Sequence, residues 1–243
     1  MSVVAIVQAR MGSTRLPGKV LQDIGGRTML ARVVRRTQRA ASLDQLIVAT
    51  SGRAADEAIV AECRELDVPV FRGDEDDVLD RYYQASKAFG AETVVRITSD
   101  CPLSDPGVID QVVNAFLNAE ADYASNTLQR TYPRGLDVEV MAVSALKCAW
   151  QEASEPFQRV HVTPYLYQNP DRFRLLSIAN ERDSSEHRWT VDTREDLTFV
   201  REIYGRFGNE DDFSWADVLD LLIREPALVE LNRAVQQKAL HEG

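Results

Sequence analysis

Residues 3–21 read VVAIVQARMGSTRLPGKVL. The stretch changes character after residue 8. Val3–Gln8 is short, continuous and rich in β-branched side chains, as expected of a strand buried on both faces. Ala9–Gly18 then turns to Gly, Ser, Thr and Pro, with cations at Arg10, Arg15 and Lys19. A buried strand that opens into a cationic glycine loop predicts an open α/β sheet with a ligand beyond the carboxyl end of that strand.

Working outward, strand and helix patterns alternate. Thr28–Ala40 reads as an amphipathic helix, Gln45–Thr50 as a strand and Ala54–Leu66 as a helix. Pro69–Arg72 is a short strand, Asp76–Phe89 a helix, Thr93–Thr98 a strand and Pro106–Asn118 a helix. Such repeats imply right-handed crossovers and a mostly parallel, doubly wound sheet covered on both faces. Beyond Asn118 the pattern loosens. Asp122–Asn126, Asp137–Met141, Arg174–Ile178 and Arg188–Val191 read as strands. Ser144–Ala153, Phe157–Tyr167 and stretches of 194–237 read as helices. The simplest organisation is one domain over 1–243. An inserted excursion near 127–185 is expected to lid the site or to form a dimer contact.

The chain has 243 residues, with 28 Lys plus Arg against 38 Asp plus Glu, a formal net charge of −10. That balance argues against general nucleic-acid binding, which favours a basic stripe. No apolar run reaches the ~18 residues of a membrane span, and Val3–Val7 is too short for a signal-peptide core. Three widely spaced cysteines, Cys63, Cys101 and Cys148, fit a reducing cytoplasm better than a disulfide framework. The basic residues are unevenly placed: eight lie between Arg10 and Arg39, with Asp23 the single acid among them. Such a segment in an acidic chain suggests a local anion site. Arg32, Arg35, Arg36 and Arg39 recur at helical spacing opposite Met29, Leu30, Val33 and Val34, which reads as a solvated helix face. Arg10, Arg15 and Lys19 remain.

The location rule for open sheets selects residues just after each strand: Ala9–Lys19, Thr50–Ser51, Arg72–Gly73, Ser99–Asp100 and Asp192–Thr193. The first segment is not a Walker A loop. Five residues separate Gly12 from Gly18 where four are needed, and Val20 stands where the magnesium-binding hydroxyl would be. No GxGxxG occurs. By composition alone the segment is either a phosphate loop or a turn with exposed cations.

The block QARMGSTRLPGKVL (8–21) resembles the signature loop of the acidic-sugar cytidylyltransferases, the CMP-ketodeoxyoctonate and CMP-sialic acid synthetase relatives. The likeness is greatest to their spore-coat-polysaccharide-like branch, which includes pseudaminic acid cytidylyltransferases. It continues in order through FRG (71–73), DDVLDRY (76–82), SDCPL (99–103), GLDVE (135–139), HVTPY (161–165) and TVDTREDL (190–197). The resemblance implies a nucleotide-diphospho-sugar transferase (glycosyltransferase-A-like) fold, Mg²⁺, CTP, a small-molecule sugar and a homodimer. It implies transfer of CMP from CTP to a sugar, an acidic 2-keto sugar, with loss of pyrophosphate, for surface-glycan assembly.

The same resemblance suggests roles. Gln8, Ala9, Arg10, Gly12, Ser13, Arg15, Lys19, Thr50, Ser51, Arg72, Gly73 and Asp77 would hold the nucleotide. Arg15 and Lys19 would stabilise charge on the α-phosphate and the leaving group. Asp100 and Asp192 would hold the metal, since Mg²⁺ takes one or two carboxylates beside phosphate oxygens and water. The plainer alternatives are a turn residue for Asp100, a helix N-cap for Asp192 and a solvated helix start for Asp77. Asn126, Arg134, Asp137, Glu139 and His161 would face the sugar, with Arg134 near its carboxylate. Asp137 and Glu139, two apart on a strand, would share a face; the alternative is an exposed strand face. His161 is otherwise a structural histidine. His187 and His241 form no metal-ligand spacing with it. Rival functions are CMP transfer to another alcohol, phosphate or phosphonate, a glycosyltransferase using a finished nucleotide-sugar, and a non-catalytic nucleotide-binding subunit.

Overall fold

The computed structural model describes residues 2–238; His241 lies outside the described residues. The chain begins with β1 (Val3–Gln8), a small hairpin of β2 (Asp23–Ile24) and β3 (Arg27–Thr28), and α1 (Met29–Thr37). Then follow β4 (Gln45–Ser51), α2 (Glu57–Glu65), β5 (Val70–Gly73), α3 (Val78–Ala88), β6 (Thr93–Thr98) and α4 (Pro106–Asn118). The second half supplies β7 (Tyr123–Ser125), β8 (Glu139–Ala142), α5 (Val143–Glu152), α6 (Pro156–His161), α7 (Pro164–Tyr167), β9 (Leu175–Ser177), α8 (Arg194–Arg206) and α9 (Trp215–Arg224).

One seven-stranded sheet runs in the order β5-β4-β1-β6-β8-β7-β9. It is α/β and mostly parallel; β8 alone is antiparallel to its neighbours β6 and β7. The period-2 alternation of β1 divides the core between two faces. Val3, Ala5 and Val7 pack with α1, α2, α4 and α8, while Val4 and Ile6 pack with α3 and α5. No helix among the described residues is long and apolar enough to cross a membrane.

Several helices start where polar side chains satisfy free N–H groups. Thr28 caps α1, Asp77 caps α3, and Asp105 accepts from Gly107 and Val108 at the head of α4. Thr193, not Asp192, caps α8, in a reciprocal box with Asp196. Asp192 is thereby left to project elsewhere.

Four readings of the sequence are corrected. Arg32 and Arg36 are fully buried rather than solvated. The chain after α8 folds back over α1, and its carbonyls need donors. Arg32 donates to Ile24, Gly25 and Asn209 carbonyls and pairs with Asp211 at 3.0 Å. Arg36 donates to the carbonyls of Ser104, Asp211 and Phe213. Each guanidinium lies 4.3 Å from a ring centroid, Tyr204 and Phe213 respectively, a cation–π geometry. Arg35 and Arg39 are exposed, as expected. Second, 188–191 is not a strand: it makes a single bridge, Arg134 to Arg188. Third, 157–167 is two helices. Val162 between them has φ +73° and ψ −55°, a γ-turn closed by Thr163 N–H to His161 C=O at 2.9 Å. A buried β-branched residue there is strained, and its neighbours must hold it. Fourth, β8 starts at Glu139, opposite Arg96, so Asp137 lies before the strand; Val138 and Val140 pack in one core cluster, as the period-2 reading expects. Segment 127–185 runs through the sheet itself, contributing β8 between β6 and β7 and β9 at the edge.

Removing the buried Arg36 guanidinium takes a donor from three carbonyls, of which that of Asp211 keeps Arg39. Arg36→Met is expected to lower the unfolding free energy by about 3 kcal/mol, read as a reduced urea midpoint.

Candidate functional site

At the carboxyl end of β1 the sheet opens into a cavity of about 660 Å³. Its first wall is the loop after β1. Ala9 N–H continues the ladder to Ala49 C=O, and the backbone then turns on Met11. The Met11 carbonyl accepts from Ser13 N–H at 2.9 Å and Gly18 N–H at 3.2 Å. Its own N–H donates to Asp56 Oδ1 at 2.8 Å. Gly18 has φ +66°, which a glycine adopts without steric cost. That turn delivers Lys19 into the cavity.

The Lys19 ammonium is shared. It donates to Asp100 Oδ2 at 2.8 Å, Asp192 Oδ1 at 2.8 Å and the Val191 carbonyl at 3.0 Å. Burial works against its charge, but the two carboxylates outweigh burial and hold its pKa above the usual lysine value. Burial likewise opposes ionisation of Asp100, and Lys19 overcomes it, bringing the Asp100 pKa down to about 2. The far oxygen of Asp192 takes Arg15 at 2.9 Å and Arg188 at 2.8 Å. Arg188 also reaches Asp196 at 2.9 Å, and buried Asp196 accepts the Asp192 N–H. The backbone of 188–192 is thus fixed by the head of α8.

The opposite wall comes from 134–137 and the end of α6. Gly135 has φ +109°, and a Cβ there would stand 2.6 Å from the Trp189 carbonyl carbon; only glycine lets these two segments cross. Asp137 is held by a bidentate pair with Arg130, at 2.6 and 2.8 Å. Arg134 lines the cavity beside them. Among the described residues its side chain makes no hydrogen bond or ion pair, and burial, followed by repulsion from Arg130, depresses its pKa. His161 faces the same space.

The cavity therefore gathers Gln8, Ala9, Arg10, Gly12, Ser13, Arg15, Lys19, Asp100, Arg134, Asp137, His161 and Asp192. Seven other residues named from the sequence stand elsewhere. Thr50 and Ser51 are fully buried at the end of β4, where Ser51 bonds Asp56. Arg72 pairs with Glu57, and Gly73 packs against the Arg81 side chain. Asp77 caps α3 and pairs with Arg159. Asn126 ties down the 127–137 loop by bonding Leu136 C=O at 2.7 Å and Val138 N–H at 2.9 Å. Glu139 is buried and accepts from Arg96, Tyr123 and Thr163.

Three cavity cations escaped the sequence reading, Arg81 from α3, Arg96 from β6 and Lys238. An Arg inside the apolar run Thr93–Thr98 was a usable signal, since a charge enters a strand only with a partner or a task. Gln8 Oε1, Arg81 Nε and Arg96 Nε are buried without a hydrogen-bond partner among the described residues, and all three residues line this cavity. Among the described residues that line it, the cations Arg10, Arg15, Lys19, Arg81, Arg96, Arg134 and Lys238 outnumber the carboxylates Asp100, Asp137 and Asp192, in a chain of net charge −10. The arrangement suits a polyanion that brings acceptors for guanidinium donors.

Comparison with known proteins gives a consistent result. The cytidylyltransferase family model matches residues 4–235. The chain is 39% identical over 246 residues to an uncharacterized protein of Methanocaldococcus jannaschii, spanning 100% of this chain and 99% of the relative. It is 34% identical over 231 residues to the spore coat polysaccharide biosynthesis protein SpsF of Bacillus subtilis, spanning 92% and 95%. A solved cytidylyltransferase from Leptospira borgpetersenii superposes with TM-score 0.92 at 32% identity, over 98% of this chain and 100% of that one. A CMP:2-keto-3-deoxy-manno-octonic acid synthetase complexed with CTP shares the fold, with TM-score 0.66 at 19% identity over 85% and 99%.

The depressed Asp100 pKa makes a signed prediction. A carboxylate with a lowered folded pKa stabilises the fold above its unfolded value, 3.8, and loses that contribution as pH falls toward 2. Lys19→Met should melt at a lower temperature than the parent at pH 7, and the gap should narrow as pH drops through this window, read by thermal melts across pH.

Proposed function

Because this chain belongs to the cytidylyltransferase family, we propose that it transfers CMP from CTP to a sugar, an acidic 2-keto sugar, and releases pyrophosphate. The observation that carries this reading is the cation-rich cavity at the end of β1, with two ionisable carboxylates gathered on one ammonium.

In this reaction a sugar hydroxyl attacks the α-phosphorus of CTP. The triphosphate repels the incoming group, and repels an acidic sugar more. Arg10, Arg15 and Lys19, delivered together by the loop after β1, neutralise the phosphates and the leaving pyrophosphate. Arg suits bidentate phosphate contacts and Lys acts as a point charge. The phosphates compete with Asp100 and Asp192 for the Lys19 ammonium.

The residues present fit a divalent cation. Asp100 and Asp192 come within hydrogen-bonding reach of one nitrogen, and two carboxylates with phosphate oxygens are the ordinary donor set for Mg²⁺. We assign Mg²⁺ to this pair; when bound it polarises the α-phosphate. Arg134, whose guanidinium is unspent, stands on the wall opposite the loop and is the group we assign to the sugar carboxylate, with Asp137 and His161 beside it.

We place the reaction in the cytoplasm, which suits the free thiols Cys63, Cys101 and Cys148, and its product in surface-glycan assembly, in keeping with the relative SpsF, which is named for spore coat polysaccharide biosynthesis. The working unit we propose is a homodimer contacting through segment 127–185. Among the described residues its edge strand β9 pairs on one side only, which leaves backbone groups for a second chain.

A screen of pyrophosphate release, crossing four nucleoside triphosphates with a panel of keto-acid sugars, should give turnover with CTP and one acidic sugar. Release with none of these pairs would overturn the reading. With that pair, Lys19→Ala should reduce turnover on the order of 10²–10³-fold while the protein stays folded. Arg134→Leu should raise KM for the sugar by roughly tenfold or more and leave CTP affinity nearly unchanged, measured by initial rates and calorimetry.

A further inference from the structure

The loop that carries Arg10, Arg15 and Lys19 is held by surprisingly little of its own backbone. Apart from the turn bonds that the Lys19 and Leu21 N–H groups make back to the Leu16 and Gly18 carbonyls, one hydrogen bond among the described residues joins the backbone of residues 10–18 to the rest of the chain: Met11 N–H to Asp56 Oδ1, at 2.8 Å across 45 positions of sequence. Met11 is also where the loop closes on itself, since its carbonyl accepts from both Ser13 and Gly18. Whatever orients the Met11 peptide therefore orients the backbone on each side of it, including Arg10 directly before and the turn at Gly18 that delivers Lys19.

Asp56 is built for two tasks at once. It is 2% exposed and forms no ion pair among the described residues. Its second oxygen accepts from Ser51 N–H at 3.1 Å and Ser51 hydroxyl at 2.5 Å. One oxygen thus holds the loop after β1, and the other holds the end of β4. A carboxylate of this length is the side chain that offers two acceptor oxygens and no donor. Burying its charge without a cation is costly, and the donors offset that cost.

We propose that Asp56 is a positioning residue for the nucleotide site: it fixes the Met11 peptide and so sets the geometry of the phosphate-binding loop, without touching substrate. The inference rests on the CTP reading of the cavity and adds to it a residue outside the cavity wall. The bond is charge-assisted, which makes it stronger than a neutral one. Losing it frees the loop to sample arrangements in which its cations no longer converge.

The test compares Asp56→Ala and Asp56→Asn with Asp105→Ala. Asp105 is also buried and accepts three backbone N–H bonds, from Gly107, Val108 and Trp215, away from the cavity. Two readouts are taken on the full chain: hydrogen exchange of the 9–19 segment without nucleotide, and CTP affinity with Mg²⁺ by calorimetry below all melting temperatures. Asp56→Ala should lose loop protection and bind CTP on the order of tenfold more weakly. Asp56→Asn, which keeps one oxygen for Met11, should fall between it and the parent. Asp105→Ala should melt earlier yet keep loop protection and CTP affinity within about twofold. If Asp56→Ala does not fold, Asp56→Asn is read alone, and parental affinity in it overturns the proposal. Unchanged exchange in the variants overturns the tether. Faster exchange with unchanged affinity leaves Asp56 a structural residue only and overturns its positioning role. A parent that binds no CTP overturns the functional reading, and with it the positioning role, while the exchange data still report on the tether.

Discussion

The Lys19 ammonium is the point on which the site converges. It takes one oxygen of Asp100, one of Asp192 and the Val191 carbonyl. Through it, the loop after β1, the end of β6 and the segment leading into α8 meet at one atom. Two carboxylates this close would repel one another without a cation between them. Lys19 removes that penalty in the free protein. The balance is local: Arg15 and Arg188 take the remaining Asp192 oxygen, and Asp196 holds the backbone behind it. A site of this kind is preorganised by mutual neutralisation, so an incoming polyanion meets cations already placed.

The same economy of charge appears in the architecture. Arg32 and Arg36 are sealed between α1 and the chain after α8 because that chain presents carbonyls with no partners of their own. Arg96 and Glu139 face each other across β6 and β8, with Glu139 also holding Tyr123 and Thr163. Thr163 follows the strained turn at Val162, and His161 precedes it. The antiparallel insertion of β8 thus ties the sheet to the wall that faces the loop cations.

What could be read in the sequence was what is local. Val3–Gln8, Thr93–Thr98 and Pro106–Asn118 are elements whose bounds follow from short-range pattern, and the structure has them at those residues. The loop cations, Asp100 and Asp192 were found from position at strand ends and from motif resemblance, and the structure brings them to one cavity. The misreadings concern long-range partners. The helical spacing of Arg32 and Arg36 says nothing of carbonyls more than 170 residues away. The strand expected from Asp137 begins only at Glu139, and period 2 does not show that Glu139 is taken up by Arg96, Tyr123 and Thr163. Arg81 sat inside a quoted motif and went unnoticed because a helix position does not show which cavity it faces. Asp56 falls within the helical pattern of 54–66, which does not show that its carboxylate reaches the loop after β1.

The bond from residue 19 to residue 192 spans 173 positions. On a ribosome adding about 5–20 residues per second, roughly ten to thirty seconds separate the emergence of its two ends. The opening strand and its loop are therefore among the first parts of the chain to be made, yet the anion pocket is among the last to exist. A nascent chain halted in the middle of the sheet would already carry the exposed cations of that loop, with no aspartate from the far end to quiet them.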